Sequence, residues 1–255
     1  MSKYTFKNIQ INFPKKRPIL SDHVQKIHDS HYEKNRSGST PITSIAQRLE
    51  RWLHIKVAKD SLNHKLGLDK STLEIGAGNL NHLAYEPIIG CYDIIEPYRT
   101  LFENKPELKR VNSIYSDISE IPKEVTYDRI ITIATLEHIL NLPEVIAKSA
   151  LHLNPHGVFR AAIPNEGTLL WNLAWKCTTG IEFKLKYGID YGLIMSYEHV
   201  NTAAEISAVL SYFYKNIQMR CFGLHPKLAL YIYFECSNPS QDRCTQFLQD
   251  LKKAQ

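Results

Sequence analysis

No stretch of the 255-residue sequence approaches the ~18 consecutive apolar residues of a membrane-crossing helix, so no membrane span is expected. The polar N-terminus lacks the apolar core of a secretion signal. Cysteine is sparse. Cys91, Cys177, Cys221, Cys236 and Cys244 are dispersed, form no C-x-x-C pair and stand beside no histidines at metal-ligand spacing. A disulfide scaffold is thereby excluded, no metal ligands are assigned, and a reducing, cytoplasmic location is expected. Concentrated positive charge is missing as well. The net charge of +5 comes from scattered Lys and Arg, and the densest run, Lys15-Lys16-Arg17, is bounded by Pro14 and Pro18. Such a run reads as solvated surface, so no nucleic-acid partner is expected. There is no internal repeat and no low-complexity segment.

What is present is an ordinary globular chain. The apolar fraction of 44% and the charged fraction of 22% are those of a folded domain, and the length suits one large domain with an elaboration. The organising stretch is Thr72-Leu73-Glu74-Ile75-Gly76-Ala77-Gly78-Asn79. An apolar run followed at once by Gly-x-Gly reads as a buried strand turning sharply into a helix. The glycines let the backbone come close to a ligand, and a helix start beyond them would offer free N–H groups. A nucleotide-like ligand is the first expectation.

Residues 1–70 read as an N-terminal helical or lid segment. Ile42, Ile45, Leu49, Trp52, Leu53 and Val57 have helical spacing over 42–60, with Pro41 at the first turn. The polar stretch from His31 to Ser39, ending in a Gly/Ser break, reads either as a solvated loop or as a lid over a ligand. Strands are predicted at 71–75, 91–95, 111–115, 127–134 and 158–163, with helices after the first, near 99–105, and along the face of Val145, Ile146, Ser149 and Ala150. Asn154-Pro155-His156-Gly157 reads as a turn. This alternation implies βαβ units and a parallel sheet, whose ligands lie beyond the carboxyl ends of the strands. Glu74, Glu96, Asp117, Leu136 to His138 and Pro164 to Glu166 all fall at those ends. Residues 168–200 break the pattern with Trp171, Trp175, Tyr187, Tyr191 and Tyr197, and read either as core packing or as a substrate cover. Thr202 to Glu205 has the form of a capping box. Strands near 216–222 and 228–236 are close enough for an antiparallel hairpin, and 238–255 is a terminal helix or tail. The expected fold class is α/β, a Rossmann-like doubly wound sheet of seven strands, mostly parallel, with the main domain over 71–237.

With these residues in order, the chain resembles the class I S-adenosylmethionine-dependent methyltransferases, over residues 71–166 by motif and 205–236 by topology. Leu73 to Asn79 looks like that family's first motif. Glu96, about twenty residues beyond Gly76, matches the acid that holds the ribose diol. Ser116-Asp117-Ile118 matches the acid near the adenine amine. Tyr127-Asp128 through Leu136-Glu137-His138 is similar to the fourth-strand motif of the small-molecule branch. The resemblance implies S-adenosyl-L-methionine as cofactor, held by Glu74, Gly76, Ala77, Gly78, Asn79, Glu96, Pro97, Asp117, Ile118 and Leu136, with Tyr32 and Arg36 closing over it. Leu80 departs from the family, which often has a third glycine there.

The main competitor is an NAD(P)-dependent oxidoreductase, whose fingerprint is G-x-G-x-x-G. Asn81 occupies the sixth position here, and Glu74 would repel a pyrophosphate while suiting an ammonium or sulfonium. A catalytically silent binding protein on the same fold is the other class. His138 is the candidate general base, or else a cofactor-orienting histidine; His199 and Glu198 are further catalytic candidates. Thr135-Leu136-Glu137-His138 differs from the Pro-Pro-aromatic signature of base-flipping enzymes. A small-molecule acceptor is therefore expected: an oxygen of a sugar or phosphorylated precursor, on an enzyme similar to those of bacterial surface-polysaccharide (capsule or O-antigen) clusters. A monomer or homodimer is expected.

Overall fold

The computed structural model describes residues 6–36, 44–59, 70–86 and 90–254. Helices α1 (Phe6–Ile9), α2 (Asp22–Arg36) and α3 (Ser44–Val57) precede the sheet. Strands β1 (Thr72–Ile75), β2 (Tyr92–Ile95), β3 (Ser113–Tyr115) and β4 (Tyr127–Ile133) follow, then α4 (Leu142–Leu151) and β5 (Leu153–Pro164). Three helices come next: α5 (Leu169–Trp175), α6 (Ile181–Tyr187) and α7 (Tyr191–Glu198). The chain closes with α8 (Ala203–Phe213), β6 (Tyr214–Phe222), β7 (Tyr231–Pro239) and α9 (Gln241–Ala254).

The strands form one seven-stranded sheet in the order β3-β2-β1-β4-β5-β7-β6. The first five are parallel, and β7 runs antiparallel to both β5 and β6. The expected Rossmann-like architecture with its terminal hairpin is therefore the observed one. Two apolar layers flank the sheet, and successive residues of β4 feed opposite layers, as a strand's period of two requires. Ile130 joins Phe6, Ile146, Ala150, Val209 and Phe213, the layer of α1, α4, α8 and α9. Ile131 joins Leu53, Val57, Leu80, Leu83, Tyr92 and Tyr233, the layer of α3. The capping box at Thr202 and Glu205 is present in full and starts α8.

Several local expectations are corrected. The short helix expected after β1 is present at Asn81–Tyr85, but it is 3₁₀ rather than α. The 99–105 region likewise holds only the 3₁₀ turn Arg99–Leu101. Prolines account for this: Pro87, Pro97 and Pro106 bracket these segments, and the residue before a proline avoids helical dihedrals. The polar stretch at 31–36 is the last turn of α2 rather than a loop, while 37–40 lie outside the described residues, as do Pro41 and Ile42. Residues 154–157 belong to β5, where a register irregularity opposite Tyr127 and Arg129 takes up the expected turn.

Leu80 stands where a third glycine would be usual, and its backbone is left-handed, with φ 65° and ψ 23°. Its side chain is fully buried in the α3 layer. The left-handed conformation costs a non-glycine residue roughly 1–2 kcal/mol, while burying a leucine side chain contributes roughly 1.5–3 kcal/mol. Burial outweighs the strain, and the turn is kept without the glycine.

A third apolar cluster fixes the roof of the sheet's carboxyl edge. Val24 of α2 packs with Phe183 of α6 and Ile194 of α7, with Leu20, Ile27 and Tyr191 around them. Between α1 and α2 the chain forms a strap: the Lys15 N–H donates to the Leu140 carbonyl at 2.8 Å, and Lys15 Nζ meets Glu205 Oε1 at 2.6 Å. Among the described residues no helix is long and apolar enough to cross a membrane.

Candidate active site

Between that roof and the carboxyl ends of β1, β2 and β4 lies a cleft of about 1060 Å³. Its floor begins with the loop after β1. Gly76 has φ +74°, and a Cβ there would lie 2.4 Å from the Thr135 side chain, so no larger residue fits. Gly78 has φ +54° with nothing within 4 Å of where its Cβ would be. A ligand can therefore approach the Gly78 backbone closely.

Two buried acids flank this loop. Glu74, 3% exposed, reaches the cleft from within β1 and accepts a hydrogen bond from the Tyr92 hydroxyl at 2.7 Å. Burial pushes its carboxyl up to about 7, against the opposing pull of His82 and the Tyr92 bond. Glu96 follows β2. Its Oε2 accepts from the Gly78 N–H at 2.9 Å and its Oε1 from the Tyr98 N–H at 3.0 Å. Each oxygen retains a further lone pair, so the carboxylate joins two loops and can still receive a diol. Asp117 caps the turn after β3. Burial alone would raise its carboxyl, but bonds from the Ser119 hydroxyl and N–H hold it below the usual value. Asn79, Ala77, Pro97 and Ile118 also line the cleft.

The opposite end is built by the turn after β4 and the end of α7. His138 and Glu198 line the cleft. His138 Nδ1 donates to the Glu198 carbonyl at 2.9 Å, and its ring meets that of His199 edge-on at 4.8 Å. His199 sits behind His138 rather than on the cleft wall, with Nδ1 3.0 Å from Glu166 Oε2. Burial would lower the His199 imidazole, but the Glu166 bond and the nearby Glu137, Glu166 and Glu198 raise it overall. Glu137, 1% exposed, has its carboxyl raised by burial. Leu136 is the exception among the expected lining residues: it is fully buried in the apolar layer beneath the cleft. The 3₁₀ turn that presents His138 outward turns Leu136 inward.

Of the remaining walls, the face of α2 was not singled out from the sequence, whereas the aromatic insertion was. Gln25, His28 and Asp29 come from α2, where their spacing of three and four places them on one helix face. His28 Nε2 lies 3.0 Å from Glu198 Oε1, tying α2 to α7 across the roof. Tyr191 and Tyr197 come from the 168–200 insertion and Tyr231 from β7. Trp171 instead packs edge-on against Tyr231 at 5.4 Å, beside the cleft. From the cleft lining inward, His54 Nδ1 meets His82 Nδ1 at 2.9 Å, His82 Nε2 meets Glu86 Oε1 at 3.0 Å, and Glu86 pairs with Arg129 at 3.1 Å. Burial drives the His54 imidazole down to about 3, so it is neutral. This buried relay draws on α3, the turn after β1 and β4; apart from the i,i+4 pair His82–Glu86, no linear spacing announces it. Tyr32 and Arg36 belong to α2, but their side chains lie outside the described residues.

No protein-family model and no curated protein matches the sequence. Solved structures do match in shape. The plantazolicin methyltransferase BpumL in complex with SAH superposes with a TM-score of 0.54 at 17% identity, over 86% of this chain and 91% of that one. Its complex with a pentazolic desmethylPZN analog and SAH gives 0.56 at 16% identity, over 85% and 92%. The N-methyltransferase NodS from Bradyrhizobium japonicum WM9 in complex with S-adenosyl-L-homocysteine gives 0.49 at 17% identity, over 74% and 88%. At 16–17% identity the BpumL likeness establishes the fold: the seven-stranded sheet of the class I methyltransferases.

Proposed function

We propose that the chain is an S-adenosylmethionine-dependent methyltransferase acting on a small molecule. The observation that carries this is the Glu74 carboxyl, buried in the floor of the cleft beside an open glycine loop. A buried acid at that place disfavours the pyrophosphate of a dinucleotide and favours a cationic, phosphate-free ligand. S-Adenosylmethionine carries both an ammonium and a sulfonium, and the neighbours that share the fold hold its demethylated product. In this reading Glu96 takes the ribose hydroxyls, Asp117 and Ile118 the adenine, and Gly76 to Asn79 with Pro97 the rest of the cofactor.

Methyl transfer is an in-line displacement at the sulfonium carbon, so the protein must align the acceptor, exclude water and, for a hydroxyl, remove a proton. His138 is placed for the proton: Nδ1 is committed to the Glu198 carbonyl, which leaves Nε2 as the basic nitrogen. Glu198 and His199 hold His138 from two sides. We assign the acceptor as an oxygen of a sugar or sugar-linked phosphate of the kind used in surface polysaccharides. Tyr191 and Tyr197 supply stacking faces, and Arg17, Gln25 and Asp29 supply polar groups on the same wall.

Calorimetry tests the assignment. S-Adenosylhomocysteine is expected to bind with one-to-one stoichiometry and NAD to show no heat; tighter binding of NAD than of S-adenosylhomocysteine would overturn it. A panel of nucleotide-linked sugars, phosphorylated sugars and azole-bearing peptides then identifies the acceptor by transfer of labelled methyl.

A further inference from the structure

The turn after β4 and the end of α7 bring the adjacent pair Glu137 and His138 together with His199, some sixty residues further along the chain. The ligand atoms of Glu137, His138 and His199 all lie within 4.8 Å of one another. The tautomers of both histidines are fixed by their partners. The Glu198 carbonyl can only accept, so the proton of neutral His138 is on Nδ1. The Glu166 carboxylate likewise fixes the proton of His199 on Nδ1. In the neutral rings, the form that binds a metal ion, both Nε2 atoms are lone pairs. The third member, Glu137, is buried, and its Oε2 has no hydrogen-bond partner. A buried carboxylate oxygen left in that state is costly unless a positive group meets it. Among the described residues, no Lys or Arg pairs with Glu137 or Glu166.

We propose that Glu137, His138 and His199 form a divalent-metal site at the acceptor end of the cleft. Two imidazoles and one carboxylate suit a borderline cation of the Zn²⁺, Co²⁺ or Mn²⁺ kind. Glu166 and the Glu198 carbonyl are the outer partners that orient the two rings, as ligating histidines require. The backbone between the two segments is already stitched. The Val200 and Asn201 N–H groups donate to the Glu137 carbonyl at 2.8 and 3.0 Å, and Asn201 Nδ2 donates to the Leu136 and Ile139 carbonyls at 2.9 and 2.7 Å. Glu137 Oε1 and His138 Nε2 are 3.8 Å apart, and the three ligand atoms lie within 4.8 Å of one another; ligands about 2.1 Å from a tetrahedral ion stand roughly 3.4 Å apart, so metal binding draws the three side chains together.

Three protein ligands leave coordination positions open, and His138 places them toward the cleft. That the acceptor occupies them rests on the proposed methyl transfer; the metal site itself does not. A cation there supplies Lewis-acid activation of an acceptor oxygen. It therefore selects acceptors with a chelating oxygen, such as vicinal hydroxyls or a hydroxyl beside a phosphate. The lone pair of His138 Nε2 cannot hold a cation and take a proton at once, so a loaded site replaces His138 as the base.

The test uses the full, tag-free chain and Co²⁺ alone, without cofactor or acceptor. One equivalent is expected to bind with visible d–d absorption of mixed nitrogen and oxygen ligation, and Zn²⁺ is expected to displace it. Glu137→Gln and His199→Gln should each abolish the absorption, and Glu166→Gln should weaken Co²⁺ binding about 10–100-fold. His54→Gln, at the other buried histidine pair, should leave it unchanged. Far-ultraviolet circular dichroism reports folding of each variant. In the unmutated protein, two exchangeable imidazole N–H resonances should carry large Co²⁺-induced shifts, a readout that needs no variant to fold. Absence of stoichiometric Co²⁺ binding, absence of the two shifted resonances, or full retention of the absorption in folded Glu137→Gln overturns the proposal. Binding of S-adenosylhomocysteine is measured separately, so failure of the metal site and failure of the methyltransferase reading are distinguishable.

Discussion

The Tyr92 hydroxyl donates to Glu74 Oε2 at 2.7 Å; both side chains are buried, Glu74 at the cleft and Tyr92 in the apolar layer beside it. Neighbouring strands thus fix the acid and its hydroxyl donor side by side, in a place where burial pushes the carboxyl up to about 7. A cationic ligand favours the ionised form, so cofactor binding should tighten as pH rises from 6 to 8 and should release a proton near pH 6. Calorimetry in two buffers of different ionisation heat measures both. Glu74→Gln should bind weakly with no such pH slope. The same shift opposes stability. The folded state binds a proton that the unfolded chain has lost between pH 4.5 and 7, so stability falls as pH rises through that window. The loss is of order 3 kcal/mol. Thermal melts at pH 8 should find Glu74→Gln more stable than the unmutated protein, and a lower melting temperature for the variant would refute the burial argument.

Glu96 supports a second prediction. Its two oxygens join the loop after β1, through Gly78, to the loop after β2, through Tyr98. Glu96→Ala removes the ribose acceptor and frees both loops. Hydrogen bonds to a charged group contribute roughly 1.5–3 kcal/mol each, so loss of two should weaken S-adenosylhomocysteine binding by at least about 100-fold. Unchanged affinity would remove Glu96 from the site. Glu96→Gln keeps the shape but replaces one acceptor with a donor, and should fall between the two.

At His138 the outcome separates chemistry from positioning. Its Nδ1 is tied to the Glu198 carbonyl and its Nε2 is turned away from that bond. His138→Ala should cut turnover by about 10²–10⁴-fold, the range for a positioned proton-transfer group, with less than tenfold change in cofactor affinity. Equal losses in both would assign the residue to holding the cofactor. His199 does not reach the cleft wall, so His199→Ala should act through His138 and shift the pH profile of turnover rather than cofactor binding.

How much of this was legible in the sequence depends on how far each feature reaches along the chain. The parallel sheet was readable because β1, β2 and β4 are buried strands with their own apolar runs. The acids at strand ends were readable because chain order places them there. Helices inferred from alternation alone are 3₁₀ rather than α wherever prolines shortened the crossover. The wall formed by α2 escaped because His28 acquires its meaning from Glu198, at the far end of the insertion. The His54–His82–Glu86–Arg129 relay and the grouping of Glu137 with His199 escaped for the same reason. Each depends on contacts between segments distant in the chain, such as His54 with His82, Glu86 with Arg129 and Glu137 with His199.

The left-handed backbone of Leu80 permits a prediction with a reversed order. At an ordinary site glycine is worse than alanine by roughly 0.5–1 kcal/mol, because it loses more freedom on folding. Leu80 has φ 65° and a fully buried side chain. Leu80→Ala gives up the burial, which costs about 2–5 kcal/mol, and keeps the strain because alanine retains Cβ. Leu80→Gly gives up the same contacts but relieves about 1–2 kcal/mol of left-handed strain. Both variants should be destabilised, and Leu80→Gly should be the more stable of the two in urea titration. Gly78→Ala, at φ +54° with open space beyond, meets the strain without a clash. It should lose stability modestly and cofactor affinity strongly, since its methyl projects into the space the ligand would fill. If Leu80→Gly melts below Leu80→Ala, the turn is held by contacts of its neighbours rather than by the exchange of strain for burial at Leu80.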